Sequence, residues 1–206
     1  MSIIEILGVA GSLSLLAGWR LYLTIFAAGV AMTFHWLPLP EHLQALQILA
    51  NPWVLGIAAI GTVAEFLADK VAWIDSAWDT VHGVIRPLGG ALLALALVDS
   101  SDPAWQVVAF LLGGGGALLS HGAKATTRAV VNISPEPYSN AVVSTGEDVA
   151  TGGLLALAIA FPPLAIGIAI LLAVAAVVVI VALRRLLRNV KATLKRAFDE
   201  APPPAA

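Results

Sequence analysis

The chain has 206 residues, of which 59% are hydrophobic and only 12% are charged, and its mean hydropathy is +0.91. This composition excludes a water-soluble globular domain and indicates an integral membrane protein. The absence of cysteine excludes disulfides, thiolate metal sites and thiol redox pairs. The formal net charge of −2 says little alone, because the positions of charges relative to the bilayer matter more.

Six apolar segments are candidate membrane helices, since a bilayer core of about 30 Å needs about 20 helical residues. In chain order they are 3–34, 52–68, 80–98, 103–131, 141–161 and 163–183. The first ten residues, MSIIEILGVA, contain no Lys or Arg, so they predict the start of the first membrane helix rather than a cleavable signal peptide. Pro162-Pro163 divides the last two segments. The sequence predicts an all-α, polytopic transmembrane helix bundle.

The distribution of basic residues predicts the orientation. The last segment continues into LRRLLRNVKATLKRAFDE, a basic amphipathic extension that the positive-inside rule places in the cytoplasm. Segments 35–51, 99–104 and 161–163 contain no Lys or Arg and are expected outside. We therefore expect one transmembrane domain over 1–187, in a bacterial inner membrane with both termini inside. Residues 188–206 are expected to form a cytoplasmic tail that ends in a disordered Pro/Ala segment.

A five-crossing arrangement is the alternative. Segment 52–68 is short, contains Glu65 and leads directly into a charged stretch. A segment of this kind can enter and leave the membrane by the same face where it is buried in protein. Five crossings with the N-terminus outside satisfy the charge rule nearly as well.

Two pairs of similar blocks indicate an internal repeat. GGALLALA at 89–96 resembles GGLLALA at 152–158, and LLAGWRLYLT at 15–24 resembles LLSHGAKATT at 118–127. The order of the blocks is preserved, so we predict repeat units at about 8–98 and 112–160, followed by a final helix at 163–187. The uncharged run after each diglycine is only about half as long as a helix that spans the bilayer. The sequence therefore predicts short or broken helices. Ser144 or Thr145 is expected to cap one of them.

The segment DKVAWIDSAWDTVHGVIRP, residues 69–87, carries a titratable stripe. Asp75, Asp79, His82 and Arg86 recur at helical spacing. One interpretation is an amphipathic interfacial or re-entrant helix at about 69–86 whose polar residues are hydrated. The other turns the stripe toward a polar cavity. Arg86 favours internal pairing over a metal site, and we expect no metal.

Two further groups of charges fall in apolar surroundings. His121, Lys124 and Arg128 share one face of the fourth segment, where simple snorkelling to the headgroups is the alternative explanation. Arg20 lies near the middle of the membrane, where an unpaired guanidinium costs several kcal/mol. It therefore needs an acidic partner at a similar depth, and the candidates are Glu65, Asp69, Glu147 and Asp148.

Several catalytic motifs are absent from the sequence. It contains no Walker loop, GxSxG elbow, HExxH motif or dinucleotide fingerprint. This disfavours an ATP-driven pump and a known hydrolase, and we expect no cofactor. The expected partners are membrane lipids, a small anionic solute or lipid headgroup, and a second copy of the chain; no nucleic-acid partner is expected.

Three runs carry a resemblance to a known family. They are FLADKVAWIDSAWDTVHGVIRPLGG (66–90), HGAKATTRAVVNISPEPYSN (121–140) and STGEDVATGG (144–153). They resemble a bacterial family of small integral membrane proteins classed as a domain of unknown function, and the likeness spans most of 8–160. The resemblance implies a multi-span bacterial membrane protein and assigns no residue a role.

Buried charges in a membrane protein predict a polar interior where something charged binds or passes. Our leading hypothesis is therefore a permease or channel-like transporter for a small anionic solute or lipid headgroup, coupled to a proton or cation. The alternatives are a noncatalytic scaffold held by interhelical ion pairs, and an intramembrane enzyme on a lipid-linked phosphate with His82 or His121 as acid or base. The predicted substrate-binding residues are Arg20, His121, Lys124, Arg128, Glu147 and Asp148, and the predicted coupling or gating residues are Asp75, Asp79, His82, Arg86, Glu65 and Asp69.

Overall fold

A computed structural model describes residues 3–35, 41–98, 102–132 and 138–199. These ranges contain helices and no strand, so the predicted all-α bundle is confirmed. The elements are α1 (Ile3–Thr33), a 3₁₀ helix (Glu41–Ala50), α2 (Pro52–Ala68), α3 (Ala72–Leu95), α4 (Pro103–Val131), α5 (Tyr138–Ala160) and α6 (Pro162–Asp199). The Pro/Ala end of the predicted tail, 200–206, lies outside the described residues, as do residues 133–137.

Among the described residues, four helices are long and apolar enough to cross a membrane: Ile4–Thr33, Pro103–Val131, Tyr138–Ala160 and Pro162–Asn189. Helix α2 is apolar but shorter, with 17 residues. Helix α3 has 24 residues, and its charged stripe lowers its hydropathy. The chain is thus a membrane-embedded helical protein.

Predicted and observed boundaries differ most at α3 and α5. The amphipathic segment predicted at about 69–86 is not a separate interfacial helix, because α3 continues from Ala72 to Leu95 without a break. Helix α5 is also continuous, so the predicted cap at Ser144 or Thr145 is wrong. The Thr145 hydroxyl donates to the Ala141 carbonyl at 2.8 Å within the helix instead.

Among the described helices, the break lies within α1. Its backbone leaves the helical region at Arg20, where φ is −140° and ψ is 79°. The Thr24 hydroxyl donates to the Arg20 carbonyl at 2.7 Å, which satisfies an acceptor at the break. Helix α1 is also the central element, since every other helix packs against it. A mid-helix irregularity surrounded by protein on all sides is tolerated at membrane depth.

The contacts of α1 give the relative directions of two other helices. Gly8 packs against Ile166 and Gly11 against Ala169, so α1 and α6 run parallel. Ser14 of α1 contacts Gly113 of α4, and Gly18, four residues further along α1, contacts Ala117, four residues further along α4. Helix α4 therefore also runs parallel to α1.

Helix α3 crosses the same layer in the opposite direction. Its start lies beside the end of α4, where Asn132 donates to Asp75 at 2.9 Å. Its later part approaches the first half of α4, at the contact between Gly90 and Gly113. The end of α1 and the start of α3 therefore lie on the same face of the bundle. The 3₁₀ helix and α2 connect these two ends, which favours a re-entrant path for α2 over a separate crossing.

This geometry favours the five-crossing arrangement over the six-crossing one. Helices α1, α4 and α6 run one way, and α3 returns. Helix α5 also returns, because Asn140 near its start contacts Arg128 near the end of α4, and Glu147 further along contacts Arg20 in the middle of α1. The two ends of the helical bundle then lie on opposite faces. Both pairs of similar sequence blocks lie on helices that run in the same direction, while the internal repeat itself and the domain boundaries stay predictions.

Small residues allow α1, α3 and α4 to meet closely. An added Cβ at Gly18 would overlap the backbone of Ala117, and one at Gly113 would lie 2.7 Å from the Gly90 carbonyl oxygen. The Ser14 hydroxyl donates to that same carbonyl at 2.9 Å. We call Ser14, Gly18, Gly90, Gly113 and Ala117 the small-residue seam. Close backbone approach of this kind is a main source of helix association in membranes.

Candidate functional site

Eight charged side chains lie together in the interior of the bundle, on the side of the small-residue seam toward the end of α4. Five helices and the turn after α2 supply them. All are buried, with exposed fractions of 7% or less. We call this group the charged cluster; its members are Arg20, Glu65, Asp69, Asp79, Arg86, Lys124, Arg128 and Glu147.

One half of the charged cluster is a ring of alternating charge. Arg20 and Arg128 both donate through Nη2 to Glu147 Oε2, each at 3.0 Å. Asp69 Oδ2 closes the ring, because it accepts from Arg20 Nη1 and from Arg128 Nη2, the latter at 3.1 Å. The Ser144 hydroxyl and carbonyl each accept a further bond from Arg20 at 3.0 Å. Two guanidinium groups from α1 and α4 are thus held together by two carboxylates.

The other half repeats this alternation with a lysine. Glu65 Oε1 accepts from Arg86 at 2.5 Å and from Lys124 at 3.4 Å. Asp79 Oδ1 accepts from Arg86 at 2.9 Å and lies 3.9 Å from Lys124. Lys124 Nζ also lies 3.5 Å from Asp69, which joins the two halves. The charged cluster is therefore one connected network.

Two more acids lie at the edge of the charged cluster. Asp148 Oδ1 is 3.1 Å from Arg20 Nε, an ion-pair contact that lacks hydrogen-bond geometry, and its side chain is 27% exposed. Asp75 is buried and accepts from Asn132. Within the charged cluster four cations face four carboxylates, so these two acids leave the site with more negative than positive groups.

His82 and His121, the buried histidines among the described residues, occupy different surroundings. His121 Nδ1 lies 2.6 Å from Arg86 Nη1. Because a guanidinium only donates, His121 accepts there and carries its proton on Nε2. His82 lies outside the charged cluster, where it stacks on Trp78 with centroids 4.3 Å apart and its Nε2 lies 3.0 Å from the Tyr22 hydroxyl.

Two cavities reach the charged cluster from different sides. The first, of about 370 Å³, lies between α1, α4, α5 and α6. Its walls are mostly apolar, and we call it the apolar cavity; its lining includes Trp19, Lys124, Glu147, Leu172, Ala176 and Val179. The second, of about 410 Å³, lies between α3 and α4. We call it the polar cavity; its lining includes Asp75, Asp79, His121, Arg128 and Asn132.

The arrangement limits the chemistry of the site. Every basic side chain of the charged cluster already has a carboxylate partner, so an anion that binds through the terminal guanidinium nitrogens or the lysine competes with a carboxylate. Glu65 Oε2 is buried without a hydrogen-bond partner. Among the described residues no group of three or more His, Cys, Asp or Glu side chains is arranged to hold a metal ion.

The sequence predicted that Arg20 pairs with an acidic residue at a similar depth, and this prediction is confirmed. Of the four acids expected by depth, Asp69, Glu147 and Asp148 pair with it directly, whereas Glu65 pairs with α3 and α4. The stripe of α3 faces other helices, so its interfacial interpretation does not hold. The basic face of α4 is likewise buried rather than snorkelling. The functional roles predicted for these residues stay predictions.

Sequence reasoning missed the polar face of α5 as a partner of this site. Asn140 accepts from Arg128 at 3.3 Å, and Ser144 accepts from Arg20. Asn140, Ser144 and Glu147 recur at steps of four and three residues, and all three are buried. This helical spacing was the available signal.

No curated protein and no solved structure matches this chain. A family model described as a domain of unknown function matches residues 7–182. The matched range extends beyond the 8–160 of the sequence resemblance and includes much of α6. The chain therefore belongs to this family, the domain of unknown function DUF4126.

Proposed function

We propose that this protein is a membrane transporter that moves an anionic solute together with a proton, and that Glu147 accepts the proton. The observation that carries this proposal is the double contact of Glu147 Oε2 with Arg20 and Arg128, at 3.0 Å each. Glu147 also lines the apolar cavity. Its carboxylate therefore occupies the position that an anion entering this cavity would take between the two guanidinium groups.

The exchange conserves charge. A proton on Glu147 removes one negative charge from the ring, and an incoming anion restores it at the same two arginines. Asp69 keeps its contacts with both arginines throughout, so neither guanidinium becomes unpaired. The other charged groups near Glu147 are Lys124 and Asp148. Unpaired charges are costly inside a membrane, so this exchange keeps the energy of the intermediate low.

The position of the two cavities supports a route through the charged cluster. The apolar cavity reaches Lys124 and Glu147, and the polar cavity reaches Asp79, His121 and Arg128. Lys124 and Arg128 of α4 belong to one connected network between these cavities. A solute that replaces one ion pair after another would pass from the first cavity to the second.

Stability alone is a weak reason to keep this network. Interhelical polar bonds in membranes contribute only about 0.6 kcal/mol each on average, whereas a single charge at the centre of a membrane helix costs about 2.5–3.5 kcal/mol on insertion scales. The small-residue seam already packs α1, α3 and α4 without charges. If the charged network binds an anionic solute in place of one of its carboxylates, its retention has a functional reason.

We also place the basic end of α6 in the cytoplasm of a bacterial inner membrane. Arg184, Arg185 and Arg188 are exposed there, and the positive-inside rule assigns such an end to the cytoplasmic face. With five crossings, the start of α1 then lies on the outer face, and the polar cavity opens near the cytoplasmic end of α4.

The test uses proteoliposomes that contain a pH-sensitive dye. Gradients of phosphate, succinate or octanesulfonate are imposed, because these anions do not carry protons across lipid as neutral acids. We expect at least one of them to drive proton uptake, and Glu147→Gln to abolish that uptake while anion binding becomes independent of pH. Asp102→Asn, at the exposed start of α4 and away from the charged cluster, is the matched control and should retain coupling. Proton uptake that is the same with and without the protein for all three anions and for dodecanoate would refute the proposal.

A noncatalytic scaffold is the second candidate, and the observation in its favour is the complete internal pairing of four cations with four carboxylates. A scaffold predicts that Glu147→Gln lowers thermal stability in detergent and leaves every flux at background. A transporter predicts a loss of coupled flux in protein that still folds and inserts. The two candidates therefore differ in the flux of the unaltered protein.

A further inference from the structure

The apolar cavity combines an apolar wall with a charged floor. Leu172, Ala176 and Val179 form one side along α6, and Trp19 of α1 lies on another. Leu172 and Val179 are separated by about 10 Å along the helix, at about 1.5 Å per residue. Lys124 and Glu147 are its charged lining residues, and both are buried. A wholly polar solute would leave most of this surface without a partner.

We propose that the anion bound here is a single-chain amphiphile with a carboxylate head. Its alkyl chain lies against α6, and its head replaces the Glu147 carboxylate at Arg20 and Arg128. This inference rests on the proposed function for the exchange at Glu147, and it adds the class of substrate. A carboxylate is favoured because the group that already bridges the two guanidinium groups is a carboxylate.

The size of the apolar cavity fits one chain. Its volume of about 370 Å³ lies within the range of about 300–1,000 Å³ that is usual for small-molecule sites. Each methylene that leaves water for an apolar wall strengthens binding about fourfold. Affinity should therefore rise with chain length until the chain passes the end of the wall.

Gly146 offers a way to block the apolar cavity without touching a charge. It lines this cavity, and an added Cβ there would meet nothing within 4 Å. Gly153 lies seven residues further along α5, and an added Cβ there would also meet nothing within 4 Å. Gly146→Leu and Gly153→Leu are thus a matched pair, of which only the first narrows the cavity.

The experiment uses protein in lipid nanodiscs and a dodecanoate that carries a photoactivatable diazirine at the chain end. After illumination, mass spectrometry measures the yield and position of cross-links. We expect cross-links on the cavity side of α6, competed by dodecanoate and not by dodecanol, succinate or dodecyl phosphate. Gly146→Leu should lower the yield about tenfold by excluding part of the chain, and Gly153→Leu should leave it unchanged.

The outcomes separate this inference from the function on which it rests. If Gly146→Leu and Gly153→Leu give equal cross-link yields, or if dodecanol competes as well as dodecanoate does, the proposal of an anionic amphiphile in the apolar cavity is wrong. If dodecyl phosphate competes more strongly than dodecanoate, the proposed preference for a carboxylate head is wrong. If phosphate or succinate drives Glu147-dependent proton uptake and dodecanoate does not cross-link, the transporter stands and this inference fails. Cavity-specific cross-linking without protein-dependent proton uptake for any of the three anions or for dodecanoate supports the site and refutes transport.

Discussion

Arg20 and Arg128 share both of their principal carboxylate partners although they lie on different helices, 108 positions apart in the chain. Nη2 of each arginine donates to Glu147 Oε2 at 3.0 Å, and both contact Asp69 Oδ2. Arg20 has one further acidic contact, with the more exposed Asp148 at 3.1 Å. The charge of each therefore depends on groups that also neutralise the other, which makes the charged cluster sensitive to single substitutions.

Removal of Asp69 should destabilise the protein strongly. Its carboxylate contacts Arg20, Lys124 and Arg128, so Asp69→Ala removes one carboxylate partner from each of three buried cations. Breaking a buried ion pair in this way costs about 3–5 kcal/mol. Thermal unfolding in detergent measures the loss. Asp148→Ala is the control, since Asp148 has one ion-pair contact and is 27% exposed, and similar unfolding temperatures for the two variants would contradict the ring arrangement.

The contact between Glu65 and Arg86 should show energetic coupling. Glu65→Gln and Arg86→Gln each leave a buried charge short of its partner, whereas the double variant removes both charges. We expect the double variant to be more stable than the sum of the single effects indicates, by about 0.5–3 kcal/mol. A double-mutant cycle from unfolding measurements gives this value. Simple additivity would show that the 2.5 Å contact carries no coupling.

The glycine run of α4 supplies a test of the small-residue seam. Gly113→Ala should destabilise the bundle, because its Cβ would lie 2.5 Å from the Cβ of Ala94 and 2.7 Å from the Gly90 carbonyl. Gly115→Ala meets nothing within 4 Å and should stabilise α4 by up to about 1 kcal/mol through helix propensity. Unfolding temperatures of the two variants should therefore move in opposite directions. Equal shifts would contradict close packing at Gly113.

The five-crossing topology predicts opposite accessibility of the two ends of the bundle. Because the chain contains no cysteine, Ile4→Cys and Asn189→Cys each introduce a single thiol at an exposed position. A membrane-impermeant maleimide applied to intact cells should label only Ile4→Cys, and both variants should react after permeabilisation. Labelling of both or of neither in intact cells would support six crossings.

Composition and hydropathy were enough to predict much of the fold. Two helices, α2 and α4, have the predicted bounds, because proline begins each of them and charge or polarity follows their ends. The need of Arg20 for an acidic partner also follows from sequence, since an unpaired guanidinium at its depth is too costly. Helical periodicity assigned Lys124 and Arg128 to one face of α4, and Asp79 and Arg86 to one face of α3.

Other features depend on the tertiary structure. Periodicity places residues on a face of a helix, but the partners of that face depend on the rotation, tilt and depth of neighbouring helices. The break of α1 at Arg20 and the return of α2 to its starting face follow from such packing and alter which acids reach which bases. By itself the sequence determined that this protein is a membrane helix bundle with buried charges. Only the tertiary structure decided that these charges form one connected network between two cavities, because ion pairs over a few ångströms join residues that are distant in the chain.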